Sequence, residues 1–125
     1  YVVLGLGSLL AQAQTHNSSA CIAQGAAIYT VGEDHVKPPK VHNLHVVGVE
    51  LPTITSNVIC EVLINSAGRI CDVRIITAPD RQTAFQVGKY IGENFRFTPA
   101  TREGKSVPAR VPIVFDTSGK FSMSQ

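Results

Sequence analysis

The alternation of apolar and other side chains along residues 58–76 predicts two consecutive β-strands. We place the first strand at 58–64 and the second at 70–76. The four residues between them, 65–68, are Asn, Ser, Ala and Gly, a composition typical of tight turns. Gly68 can take the positive φ that such a turn requires. The segment as a whole therefore predicts a β-hairpin.

The length of this turn sets the register that we expect in the hairpin. With a four-residue loop, Ile64 pairs with Arg69, and both apolar sets fall on one face of the sheet. The same register places Glu61 directly opposite Asp72.

A change to helical spacing follows the second strand. Apolar and small residues recur every three to four positions, at Ala84, Val87, Gly88, Ile91 and Phe95. Asp80 is suited to be the N-cap of this helix, and Pro99 requires the helix to end by Thr98. Gly88 and Gly92 each cost about 1 kcal/mol relative to Ala in a helix interior. We therefore expect them where the helix approaches the sheet closely.

Alternation returns at Val111, Ile113 and Phe115, which predicts a third strand. With a right-handed crossover, the element order β-β-α-β predicts a two-layer α+β fold. Its three-stranded antiparallel sheet has the order 2-1-3, and one main helix packs on one face. The other face keeps apolar side chains at Ile59, Leu63, Ile70, Ile76 and Val114. We expect residues 41–56 or a second subunit to cover part of that face.

These elements predict a compact domain at 57–116, and the rest of the chain differs from it in composition. Residues 14–40 carry Ser, Gly, Gln and Asn together with a Pro-Pro step, which favours a linker. Residues 41–56 have weak β character and predict an arm or a short strand lying on the domain. Residues 117–125 are predicted to be a tail.

Residues 1–13 are interpreted as the remnant of a signal peptide. Positions 2–10 are apolar and uncharged, and Ala11-Gln12-Ala13 has the small-x-small pattern of a signal-peptidase site. We expect cleavage before Gln14 and an exported, periplasmic product. The pattern leaves open an N-terminal membrane anchor, which would need about 20 apolar residues to span a bilayer.

Composition narrows the classes of function. The chain has 125 residues, of which 44% are hydrophobic and 16% charged, as in an ordinary globular domain. Lys and Arg number 11 against 9 Asp and Glu, so the formal charge is +2, and Trp is absent. This weak charge and the few aromatic residues argue against a nucleic-acid partner.

The candidates for catalysis and metal binding are few. Glu61 and Asp72 could act as the paired carboxylates of a small periplasmic enzyme. Arg74 and Arg110 can reach the same face, which favours a neutralised surface cluster instead. The histidines that could ligate a metal are His35, His42 and His45. They lack Cys or acidic neighbours at ligand spacing, so we predict no metal, no cofactor and no catalytic residue.

The three cysteines, Cys21, Cys60 and Cys71, form an odd set without a C-x-x-C motif. In the expected register, Cys60 and Cys71 face the helix as diagonal neighbours. We predict that both are free and unreactive and that only Cys21 is readily alkylated. A disulfide between Cys60 and Cys71 is the alternative.

Two segments resemble the signatures of the TonB C-terminal domain family. Residues 62–73, VLINSAGRICDV, resemble its hairpin signature. Residues 95–100, FRFTPA, followed by GKSV at 104–107, resemble the second signature, which precedes a final strand ending in Phe, here Phe115. The resemblance covers 57–116 and, more loosely, 36–56. The matching motif residues are Gly68, Asp72, Val73, Phe97, Pro99, Ala100 and Gly104.

The resemblance implies a non-catalytic periplasmic domain that binds other proteins. Members of this family couple an inner-membrane energy source to outer-membrane receptors, and a receptor segment pairs as an added strand with the last strand of the domain. We therefore expect either an energy transducer in transmembrane transport or a stand-alone adaptor. The alternative function is that of a structural module that self-associates, for example as a homodimer.

The outer side of the third strand is the binding edge that we expect from this reasoning. Pro112 lacks an N–H and is tolerated on an edge strand when the missing donor faces outward. Arg110 and Val114 would then offer outward backbone donors for strand addition. Nearby cations, Arg102 and Lys105, favour an acidic partner segment. The predicted partner-binding residues are Val107, Arg110, Val111, Pro112, Ile113, Val114 and Phe115.

Overall fold

A computed structural model describes residues 21–123 as a mixed α+β fold with one helix and three β-sheets. The strands are β1 (Tyr29–Thr30), β2 (Val36–Lys37), β3 (Val41–Asn43), β4 (Val58–Ile64), β5 (Ile70–Thr77), β6 (Phe95–Phe97), β7 (Ala100–Arg102), β8 (Lys105–Val107), β9 (Ala109–Phe115) and β10 (Phe121–Met123). The helix, α1 (Arg81–Asn94), lies between β5 and β6 in the chain. The export signal predicted at 1–13 lies outside the described residues.

Five strands form the main sheet. β4 is central and pairs antiparallel with β5 on one side and with β9 on the other. The three predicted strands are therefore neighbours in the predicted order. The main sheet is larger than predicted, because β1 pairs in parallel with the start of β9 and β10 pairs antiparallel with its end. Two smaller sheets, β2-β7-β8 and β3-β6, complete the fold.

The core lies between α1 and one face of the main sheet. Alternate residues of the two inner strands are fully buried: Val58, Cys60, Val62, Ile64, Ala109, Val111, Ile113 and Phe115. From the helix side, Val87 and Ile91 are buried in the same cluster. Phe95, directly after the helix, brings its ring to 4.8 Å from that of Phe121. The burial of alternate strand residues confirms the predicted strand alternation.

The helix begins where the sequence predicts. The backbone of Asp80 is extended, and its Oδ1 accepts a hydrogen bond of 2.7 Å from the backbone N–H of Thr83, as expected of an N-cap. The expectation for Gly88 and Gly92 was wrong. A Cβ built on either glycine would meet no atom within 4 Å, so neither marks a close approach to the sheet.

The hairpin turn is closed by Asn65. Its N–H donates to the Arg69 carbonyl, and its side-chain Oδ1 accepts from the N–H groups of Ala67 and Arg69. Gly68 has φ +86°, and a Cβ there would overlap the carbonyl oxygen of Phe97. The positive φ predicted for this glycine is therefore confirmed.

The hairpin register differs from the predicted one. Glu61 lies opposite Arg74 rather than Asp72, and Cys60 lies opposite Ile75. Two bulges cause the difference. The aligned partners in the shifted regions are Ile59↔Thr77, Cys60↔Ile75, Leu63↔Asp72 and Ile64↔Ile70. Cys71 and Ile76 therefore have no partner in β4, and each shifts the pairing by one residue.

Residues 21–40 belong to the fold, contrary to the linker predicted for 14–40. They carry β1 and β2, and Val31 and Val36 are buried in the core. β2 pairs with β7, which follows the helix in the chain. The predicted tail also contributes, because its residues 121–123 form β10.

The segment predicted as an arm or a short strand, 41–56, contains the short strand β3 and packs beside the end of the helix; it does not cover the second face of the main sheet. β3 pairs with β6, and Asn94 at the end of α1 is fully buried. The Asn94 Oδ1 accepts a hydrogen bond of 2.6 Å from the N–H of Val46. On the second sheet face, Ile59 keeps 37% of its surface exposed.

Candidate partner-binding edge

The outer side of β9, predicted to be an open edge, is paired along most of its length. Thr30 of β1 lies beside Arg110, and the N–H of Val31 donates to the Arg110 carbonyl at 3.0 Å. At the other end, Ser122 of β10 lies opposite Val114. Pro112 falls between the two covering strands. The expectation that this edge is free was therefore wrong.

The seven predicted binding residues divide between the interior and the surface. The side chains of Val111, Ile113 and Phe115 are fully buried in the core. The others are half-buried: Val107, Arg110, Pro112 and Val114. Three of the seven side chains are thus unavailable to a partner, because they form the sheet's contribution to the core.

β10 is held in place by a turn with the same hydrogen-bond arrangement as the hairpin turn. The N–H of Asp116 donates to the Lys120 carbonyl, and the N–H of Gly119 donates to the Asp116 carbonyl. The Asp116 carboxylate accepts hydrogen bonds from Ser118 and Lys120. The bond from the Ser118 hydroxyl is the main reason why the pKa of Asp116 lies below its ordinary value. The covering strand is therefore built into the fold by its own turn.

The other edge of the main sheet, the outer side of β5, is open. β5 is the terminal strand of the sheet, and none of the strands in residues 21–123 pairs with its outer side. Between the bulges at Cys71 and Ile76, residues 72–75 pair regularly with β4. This run of four residues carries unpaired backbone donors and acceptors, which is the template for strand addition.

An apolar groove of about 600 Å³ runs along this edge, between β5 and α1. Its lining residues are Val73, Ile75, Ala84, Phe85, Gly88 and Lys89. Phe85 exposes 72% of its surface, which is unusual for so large an apolar side chain. Gly88 leaves the helix side of the groove open, because it has no side chain. We name the outer side of residues 72–75 together with this groove the β5 edge.

The charged residues near this edge form an ion-pair cluster on the opposite face of the sheet. The Glu61 Oε1 lies 3.1 Å from Nη2 of Arg74 and 3.8 Å from Nε of Arg110. Asp72 takes no part in an ion pair with any described residue. The pairing of Glu61 with two arginines agrees with the neutralised cluster predicted from the sequence, and the expected opposition of Glu61 and Asp72 was wrong.

A disulfide joins Cys21 to Cys71, with Cα atoms 5.8 Å apart. Ile70 and Val73 both pack against the core, so the bulge between them breaks the alternation that would turn Cys71 toward the helix. The prediction that Cys21 and Cys71 are free was therefore wrong. Cys60 is free and buried as predicted, and burial raises the pKa of its thiol to about 12.

The residues that resemble the two family signatures meet in space. Gly68, in the hairpin turn, lies against the backbone of Phe97 and Thr98. Ala100 is fully buried, and Gly104 has φ +80° in the turn between β7 and β8. The close approach of Gly68 to residues 97 and 98 brings the hairpin turn against the segment that follows the helix. Their roles in the fold are turn formation and close backbone contact.

Within residues 21–123, no group of three or more His, Cys, Asp or Glu side chains is arranged to hold a metal ion. The side chains of His35, His42 and His45 are exposed. The helix in this part of the chain is too short and too polar to cross a bilayer.

Comparison of the chain with protein-family models, with curated proteins and with solved structures gives no match in any of the three.

Proposed function

We propose that this protein is a non-catalytic protein–protein interaction domain that binds an extended partner segment at the β5 edge. The observation that carries the proposal is the combination of an unpaired edge strand with an apolar groove beside it. The sequence pattern favoured the outer side of β9, which β1 and β10 occupy. We therefore propose strand addition at the outer side of β5, the open edge of the main sheet.

A strand added to β5 would contact both the unpaired backbone groups of the edge and the apolar groove beside it. The backbone of an added strand would bond to the unpaired groups of residues 72–75, which supplies affinity. Alternate side chains of that strand point to one face, and on the helix side they would enter the groove beside Phe85 and Gly88. Apolar side chains at every second position therefore define the partner segment. The bulges at Cys71 and Ile76 limit the regular ladder to about four residues.

The export expected from residues 1–13 is part of the proposal. A disulfide such as Cys21–Cys71 forms and persists in oxidising compartments, which include the bacterial periplasm. The finer architecture, a two-layer β-β-α-β unit like that of the TonB C-terminal domain, belongs to the same proposal. By that resemblance, a segment of an outer-membrane receptor is one partner that we propose, and the binding would couple the receptor to an inner-membrane energy source.

The test is a titration of a fluorescently labelled hexapeptide, Thr-Val-Thr-Val-Thr-Val, with the full chain, followed by anisotropy. Gly88→Leu places a side chain in the groove, and we expect it to weaken binding at least about tenfold by blocking the pocket for alternate side chains. Gly92→Leu is the matched control, because it changes another helical glycine with open space around it and leaves the groove untouched.

Saturable binding that is lost in Gly88→Leu and kept in Gly92→Leu supports the proposal. Absence of saturable binding, or equal loss in both variants, contradicts it. Backbone amide shifts upon peptide addition give the location directly. Shifts concentrated in residues 109–115, with β5 unmoved, would reject the β5 edge in favour of strand exchange at β9.

A further inference from the structure

The charge pattern of β5 is complementary to itself. In an antiparallel pair, residues directly opposite each other place their side chains on the same face of the sheet. Two copies of β5 can therefore pair about a twofold axis perpendicular to the sheet only if the axis passes beside one residue position. The residue at that position then lies opposite its own copy. The regular run offers four such centres: Asp72, Val73, Arg74 and Ile75. An axis at Ile75 would set Arg74 opposite the bulged residue Ile76 and Asp72 opposite Ala78, so it forms no pair of opposite charges.

Electrostatics also distinguishes the other three registers. A twofold axis at Asp72 sets two carboxylates against each other, and an axis at Arg74 sets two guanidinium groups against each other. Like charges directly opposite are destabilising. An axis at Val73 instead places Asp72 opposite Arg74 of the second copy, and it does so twice. Asp72 has no ion-pair partner among the described residues. Arg74 pairs with Glu61 through Nη2 at 3.1 Å, but its side chain is 67% exposed, so its other N–H groups can reach Asp72 of the second copy.

The helix beside the edge fits the same arrangement. Pairing of two β5 strands about 4.8 Å apart brings the two copies of α1 side by side on one face. Ala84 and Gly88 line the groove one helical turn apart, and a Cβ on Gly88 would meet no atom within 4 Å. Small residues there leave room for the second helix at the usual interaxial distance of about 8–10 Å. The exposed ring of Phe85 would be covered by its neighbour.

We infer that the occupant of the β5 edge is a second copy of this chain, in a twofold register centred on Val73 that joins the two main sheets. This inference rests on the proposed function, since it uses the same edge and names its partner. Opposite charges in an isologous interface set the register, and the apolar groove supplies the buried surface.

Charge reversal tests the register with the full chain. Asp72→Arg gives a chain with arginine at both positions, and Arg74→Asp gives a chain with aspartate at both. Each variant alone turns two attractive pairs into two repulsive ones, and we expect its dimer dissociation constant to rise by about tenfold or more. An equimolar mixture of the two variants restores both pairs, so we expect it to form a heterodimer. Lys105→Asp, on exposed β8, is the control and leaves the dimer unchanged.

Sedimentation equilibrium of the wild type, both single variants, the mixture and the control provides the measurement, and urea unfolding of each checks that it is folded. Dimer formation by the wild type and by the mixture, weakened in each single variant, supports the inference. A wild type that stays monomeric at 500 μM overturns it, while the peptide titration decides the proposed function separately. A dimer that is insensitive to both charge reversals, or that the mixture fails to restore, also overturns it.

Discussion

Removal of the Cys21–Cys71 disulfide should destabilise the domain by about 2–4 kcal/mol. The bridge closes a loop of 50 residues. In the chain-entropy description, a loop of that length restricts the unfolded chain by roughly 4 kcal/mol at 25 °C. Engineered and natural bridges commonly deliver somewhat less than this value, which sets the lower limit. The segment that the bridge anchors has a second attachment, because the Asn65 side-chain amide donates to the Cys21 carbonyl at 2.9 Å.

The assay is equilibrium urea unfolding of the oxidised wild type, Cys21→Ser, Cys71→Ser and the double variant. Each single substitution removes the whole bridge, so we expect the double variant to be no less stable than the weaker single variant, apart from small local effects. The slope of the free energy against urea should rise in all three, because the unfolded chain without the bridge exposes more surface. Cys60→Ala serves as the control, since it keeps the bridge and should lose the same stability as the wild type when dithiothreitol is added.

Two results would contradict this stabilising role of the bridge. If dithiothreitol leaves the unfolding midpoint of the wild type unchanged, the bridge is absent or makes no contribution. If the losses of the two single variants add in the double variant, the two thiols act independently, and the placement of Cys71 outside the helix-facing side would be wrong.

Four further outcomes follow from individual residues. Gly68→Ala should cost about 2 kcal/mol or more in unfolding free energy, because Ala is strained at φ +86° and its Cβ overlaps a backbone carbonyl; an unchanged urea midpoint would contradict this. Gly88→Ala should instead stabilise by up to about 1 kcal/mol, since its Cβ meets no atom and helix propensity improves. With a thiol pKa of about 12, Cys60 should resist iodoacetamide at pH 8 in the native protein and react in urea, as followed by mass spectrometry. The hydrogen bond from the Thr83 N–H lowers the pKa of Asp80 in the folded protein below 3.8. The ionised Asp80 therefore stabilises the fold above pH 3.8, and this stabilisation is lost as the pH falls through the lowered pKa. Asp80→Asn keeps an acceptor that does not titrate, and its thermal midpoint should decline less on acidification than that of the wild type.

The long elements could be predicted from the sequence because each is long enough to show a period. The strands at 58–64 and 70–77 alternate, and α1 presents Val87 and Ile91 to the core at helical spacing. The strands missed by the prediction have two or three residues, as in β1 and β10. Two residues show no periodicity, so their pairing is decided by tertiary contacts alone.

The same limit explains the error in the candidate site. The outer side of β9 was expected to be open because β1 and β10 could not be recognised. The hairpin register was missed because a bulge, such as the one at Cys71, inserts a residue without a strong local signal in the sequence. That bulge also decides the disulfide, since it turns Cys71 away from Cys60. The apolar side chains of Val73 and Ile75 were visible in the pattern, but their place beside an open groove depends on the position of the helix.

The disulfide also determines how the fold would carry a mechanical load. Tension applied to the chain ahead of Cys21 enters the domain through a covalent bond to Cys71, at the start of the edge strand β5. The segment between the two cysteines, which are 50 positions apart in the sequence, is bypassed, and it would not be extended while the bridge is intact. At 3.3–3.6 Å per extended residue, roughly 170 Å of chain is held in reserve. The force would act on a partner strand at β5 as shear along the strand. Reduction of the bridge would lengthen the connection between the chain ahead of Cys21 and β5 and make it more flexible.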